Sequence, residues 1–75
     1  MNKQRRKRID ELTDMIQDIQ SSLDELREEE QEAYDNLPEG IQDSERGDAM
    51  CDAIEAMENA DSSLQDAYDY LIDLL

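Results

Sequence analysis

Histidine, tryptophan and phenylalanine are absent from this 75-residue chain, which holds one cysteine, one proline, two glycines and two lysines. Each shortage closes a route. Without histidine there is no Cys/His zinc site and no Glu-x-x-His di-iron bundle. With Cys51 alone, no intrachain disulfide can form. Pro38 is the single proline and Gly40 and Gly47 the only glycines, so the break signals gather in one short segment and leave both flanks free to be helical. No apolar run approaches the roughly 18 residues that span a bilayer, and the basic N-terminal residues lead into Ile9-Asp10-Glu11 rather than an apolar stretch. The expectation is a soluble, unsecreted protein.

What is present is heptad periodicity. Ile9, Ile16 and Leu23 recur at position a with Leu12, Ile19, Leu26 and Ala33 at d; beyond the break, Met50, Met57, Leu64 and Leu71 recur at a with Ala53, Ala60, Ala67 and Leu74 at d. The pattern predicts an all-α fold: an antiparallel two-helix coiled-coil hairpin over residues 1–75. Its first helix is expected over about 3–36 with Asn2 as N-cap, a loop over 37–43 with one short helical turn after Pro38, and a second helix over about 44–75 capped by Asp43 or Ser44. Gly47, in the first turn of that helix, implies a close approach to the loop. Apolar residues at e (Tyr34, Ile54, Tyr68, Leu75) and Met15 at g widen the stripe beyond a two-helix seam. A chain this short has little core of its own, so the expected completion is a homodimer forming a four-helix bundle. Glu30 interrupts the first ladder at a, where it faces solvent near the loop or pairs with Arg46.

Charge is the second signal. The formal net charge is −15, and five of the seven basic residues are Lys3, Arg5, Arg6, Lys7 and Arg8. From Ile9 onward 22 acids face only Arg27 and Arg46, a net charge of −20. Such a body repels nucleic acid and anionic membrane and attracts basic surfaces within a Debye length of about 8 Å. The implied partner is a basic protein, with no direct nucleic acid and no membrane. The basic head opposes the dipole of its own helix, which predicts compensation from Asp66, Asp69, Asp73 and the terminal carboxylate, lying near Arg5, Arg6 and Arg8.

The candidate site is the row of carboxylates at c and f. On the first helix it comprises Glu11, Asp14, Asp18, Glu25, Glu28, Glu32 and Asp35; on the second, Asp52, Glu55, Asp66, Asp69 and Asp73, with Tyr70 as the best aromatic contact. These charges recur about every 5 Å along each helix, close to the phosphate repeat of a nucleic-acid strand. Polar residues at b, c and f are ordinary in any coiled coil, but balanced helices intersperse lysine for favourable i,i+4 pairs. The second helix has no lysine and so forgoes that stabilisation.

Other chemistries fail on residues. An EF-hand loop begun at Asp35 places Gly40 at its sixth position but Leu37 and Arg46 at the third and twelfth, where ligands are needed. Cys51 lies between acids, a poor setting for a thiolate nucleophile. No catalytic residue, metal or cofactor is expected.

The segment from Asp35 to Gly47, Asp-Asn-Leu-Pro-Glu-Gly-Ile-Gln-Asp-Ser-Glu-Arg-Gly, follows Glu-Glu-Gln-Glu-Ala-Tyr. It resembles a segment of short acidic helical-hairpin proteins from bacteriophages and integrated elements of bacteria. The resemblance implies a viral or mobile-element origin, a bacterial cytoplasm, and the role small acidic proteins of that origin often take: inhibition of host defence, as anti-CRISPR proteins or nucleic-acid mimics. The expected function is therefore non-enzymatic binding and inhibition of a basic, nucleic-acid-handling host protein. The alternative is a structural or adaptor coiled-coil module that engages a partner helix.

Overall fold

The computed structural model describes all residues, Met1–Leu75. Three helices follow one another: α1 (Lys3–Asp35), α2 (Glu39–Gln42) and α3 (Glu45–Ile72). Helices α1 and α3 pack against each other in an extended hairpin of 58 × 15 × 12 Å. A helix with its side chains is about 10–12 Å across, so the molecule is two helices wide and one layer thick. Both broad faces are open.

Local chemistry sets the ends. Asn2 caps α1, its Oδ1 accepting from the Arg5 amide at 2.8 Å. Asn36, at the C-cap, donates its amide to Glu32 O, and Pro38 begins a turn in which Ile41 and Gln42 donate back to the Pro38 carbonyl. The short turn expected after Pro38 is therefore α2. Ser44 holds the N-cap position of α3, but its hydroxyl donates to the Ile41 carbonyl and makes no cap bond to the helix. Helix α3 ends at Ile72, a few residues before the expected end.

Gly47 explains the tight joint. A Cβ there would stand 2.0 Å from the Gln42 carbonyl oxygen, so only glycine lets α3 start against the backbone of α2. Gln42 is tied down at its other end too, its Nε2 donating at 3.2 Å to the Tyr34 carbonyl at the end of α1, which also accepts from the Leu37 amide at 3.0 Å.

The seam between the long helices differs from the expected a and d ladder. The buried and half-buried residues of α1 are Ile9, Thr13, Ile16, Gln20, Leu23, Arg27, Glu30, Gln31 and Tyr34, essentially positions a and e. On α3 they include Met50, Ile54, Met57, Leu64, Ala67, Tyr68 and Leu71. Size accounts for the rotation: burying Ile54 and Tyr68 at e removes more apolar area from water than burying Ala53 and Ala60 at d, at about 25 cal/mol per Å². Equivalent positions of antiparallel helices flank the same side of the seam. Turning α3 toward e therefore brings in the e row of α1, which is polar. Thr13 is buried with its hydroxyl satisfied by the Asp10 carbonyl at 2.7 Å, and Gln20 Nε2 reaches Gln65 Oε1 at 3.0 Å.

The same rotation turns the d rows outward. Leu12, Met15, Ile19 and Leu26 are about half exposed, between 48% and 57%. Ala53 and Ala60 are exposed beside them on α3. Ile54 is the only buried hydrophobic residue in the chain.

Candidate functional site

Because α1 turns a and e inward, its c row points directly away from α3, with f beside it. The structure leaves Glu11, Asp14, Asp18, Glu25, Glu28, Glu32 and Asp35 exposed along the back of α1. Asp52, Glu55, Asp66, Asp69, Tyr70 and Asp73 are likewise exposed on α3. The seam brings none of these rows together: they form two parallel acidic ridges on opposite edges of the hairpin. Asp35 and Asp69 each accept one hydrogen bond, from Gln31 and Gln65. Tyr70, 76% exposed, stands at the g edge of α3.

One ion pair exists in the molecule, between Arg27 Nη2 and Asp24 Oδ1 at 2.6 Å. Asp24 holds the Arg27 guanidinium above its ordinary value, with Glu58 and Glu28 adding to the effect. Periodicity alone did not mark Arg27, because its e position counts as solvent in an a and d seam. It lies instead in a cleft with Asp24, Glu58 and Asp61, the one place where the acidic surface is locally neutralised. Glu30 is half-buried and makes no ion pair with Arg46, so that expected pairing is absent.

The basic head also differs from expectation. Gln20 faces Gln65 and Tyr34 faces Cys51, a register that sets Ile72 level with Thr13. The first turns of α1 therefore extend about 15 Å beyond the end of α3, at 1.5 Å per residue. Asp66, Asp69 and Asp73 lie further down the hairpin, and none pairs with Arg5, Arg6 or Arg8. Of the groups expected there only the C-terminal residue approaches: Leu75 lines a shallow depression with Lys3, Arg6, Lys7 and Asp10, and its carboxylate makes no ion pair. No acid stands in the first turn of α1 and no base in its last turn, so both ends oppose the helix dipole.

Tyr34 stands near Cys51 at the loop end of the seam. Its phenol is raised above its ordinary value, first by hydrogen bonding and charge at Cys51, then by desolvation and by Asp43 and Asp35. A raised folded value means that the folded chain holds the proton more tightly. The associated stability is full below about pH 10 and is lost as pH rises through the folded value. In an alkaline series of thermal melts, the midpoint of the native protein should fall more steeply above pH 10 than that of Tyr34→Phe. Equal slopes would remove the Cys51 contact as a source of stability.

No group of three Cys, Asp or Glu residues is placed to hold a metal ion, and no helix is long and apolar enough to cross a membrane. Comparison with protein-family models, with curated proteins and with solved structures finds no match to this chain.

Proposed function

We propose that this chain is a non-enzymatic acidic protein of bacteriophage type that binds a basic, nucleic-acid-handling host protein and inhibits it. In this reading it acts against host defence, its carboxylate ridges standing in for phosphates. A single observation carries the reading: every carboxylate of the c and f rows is exposed and none has a basic partner within the chain. A ridge that forgoes stabilising i,i+4 lysine pairs accepts repulsion that folding does not require.

The working form in this reading is a homodimer, two hairpins closing into a four-helix bundle. What supports it is the single buried hydrophobic residue of the isolated hairpin set beside four half-exposed large ones on α1. The same exposed face favours the second reading, a coiled-coil adaptor engaging a partner helix. Salt separates the two, because an acidic ridge is screened and an apolar seam is not.

Replacing Asp52, Glu55 and Asp66 by lysine tests the ridge on the lysine-free helix. Folding should survive, since the substitutions reduce the chain's own repulsion. Capture of basic proteins from bacterial lysate at low salt should fall about 100-fold, the scale of electrostatic steering. Unchanged capture by the triple variant, or capture indifferent to salt, would exclude the phosphate-mimic reading.

A further inference from the structure

The exposed flank of α1 is self-complementary when read in the opposite direction. Its d row runs Arg5, Leu12, Ile19, Leu26, Ala33 and its g row Arg8, Met15, Ser22, Glu29. Ile19 is also the midpoint of α1, which spans Lys3–Asp35. Two copies of α1 laid antiparallel with Ile19 on Ile19 overlap along their whole length. Leu12 is then level with Leu26 of the second copy, while in the g row Met15 with Ser22 and Arg8 with Glu29 come within one residue's rise of about 1.5 Å of each other.

Charge selects the same arrangement. The overhanging head, Lys3 to Arg8, carries five bases and no acid, while Glu28 to Asp35 carries five acids and no base. Neither has an ion-pair partner within its own chain. Antiparallel overlap places each beside the other at both ends of the pair. It also corrects both inverted helix ends, setting bases beside the negative C-terminus of the second α1 and acids beside the positive N-terminus. A parallel stacking would bring the two basic heads together instead.

We infer that a second copy of this chain covers the exposed flank, with α1 antiparallel to α1 about a two-fold axis at Ile19 and the basic head of each copy resting on the Glu28–Asp35 stretch of the other. This deepens the dimer proposed above and rests on it. The exposed alanines of α3, Ala53 and Ala60, lie on the same side of the hairpin, and their small side chains let the second layer approach closely.

Two measurements test the arrangement and the dimer separately. Sedimentation across protein concentrations reads the dimer itself; a monomer at every concentration overturns both. Register is read by cross-linking in a Cys51→Ser background under mild oxidation. Ile19→Cys should link two copies rapidly, Leu12→Cys alone should not, and Leu12→Cys with Leu26→Cys should. A dimer in which Ile19→Cys fails to link, or in which Leu12→Cys links to itself, keeps the dimer and overturns the antiparallel register. Charge swapping gives an independent reading: Arg8→Glu should weaken association about tenfold, since each change counts twice across the two-fold axis. Adding Glu29→Arg should restore it. No restoration overturns the pairing of head and acidic stretch.

Discussion

Gly47→Ala should lower the thermal midpoint by about 10 °C, although helix propensity argues for the opposite sign. In an exposed helix, alanine in place of glycine gains up to about 1 kcal/mol. Here the added methyl would meet the Gln42 carbonyl oxygen at 2.0 Å and the Gln42 carbonyl carbon at 2.6 Å. These are backbone atoms and cannot rotate aside. Relief requires α2 to lift from the start of α3, which strains the Gln42 contact with the Tyr34 carbonyl. Overpacking of this kind costs about 1–3 kcal/mol and occasionally more, so the clash outweighs the propensity gain. For a chain of this size each 1 kcal/mol moves the midpoint by roughly 4–8 °C. The control is Gly40→Ala. Nothing lies within 4 Å of a Cβ there and its φ is not positive, so the unfolded-state entropy of glycine alone decides, and a gain of about 0.4–1 kcal/mol is expected. Melts followed by circular dichroism check both. A raised midpoint for Gly47→Ala would mean that the loop does not seat on α3 as described.

Ile54→Ala should be the most damaging single truncation of the long helices, and Leu26→Ala should behave quite differently. Ile54 is 8% exposed and is the only hydrophobic residue the hairpin buries. Large-to-small changes at buried sites cost about 2–5 kcal/mol, and a one-layer fold places the loss near the lower end because water reaches the site from both faces. Even about 2 kcal/mol is a large share of the stability a small single-core chain has, roughly 3–5 kcal/mol. The thermal midpoint should fall by roughly 8–16 °C, at about 4–8 °C per kcal/mol, and the loss itself should not depend on protein concentration, because Ile54 is buried within one hairpin. Leu26 stands at d, the heptad position expected to lie in the seam, yet it is 53% exposed. Its truncation within one hairpin should cost under about 0.5 kcal/mol, and any larger loss should depend on protein concentration, as a residue at an interface between copies requires. Denaturant titrations at two concentrations distinguish these outcomes. Equal, concentration-independent losses for Ile54→Ala and Leu26→Ala would restore the a and d seam and remove the exposed flank.

The contrast between those two residues marks where reading the chain as a string ran out. Heptad spacing identifies which residues are apolar and how often they return to one face, and it located both long helices within a few residues. It does not fix rotation about the helix axis. That angle is decided by a competition that involves both helices at once: Ile54 and Tyr68 win burial over Ala53 and Ala60, and α1 follows by presenting Gln20 and Arg27. The exposure of the c and f carboxylates was legible because those positions stay outward under either rotation. The isolation of the basic head was not legible, because it depends on the axial register between helices, set at the loop by Gly47 against Gln42 and carried along by Tyr34 opposite Cys51 and Gln20 opposite Gln65.

By itself, the amino-acid sequence determined that this chain is helical, that it breaks once near Pro38, and that it carries a dense negative surface with its bases gathered at one end. Those properties follow from local chemistry: propensity, one proline, and residue identity at repeating positions. Only the tertiary structure decided which apolar residues are spent on the intramolecular seam and which are left over. It also decided that the basic head overhangs α3 rather than meeting its acids. Rotation and register are properties of two helices in contact, and the energies that set them come from side chains distant in sequence.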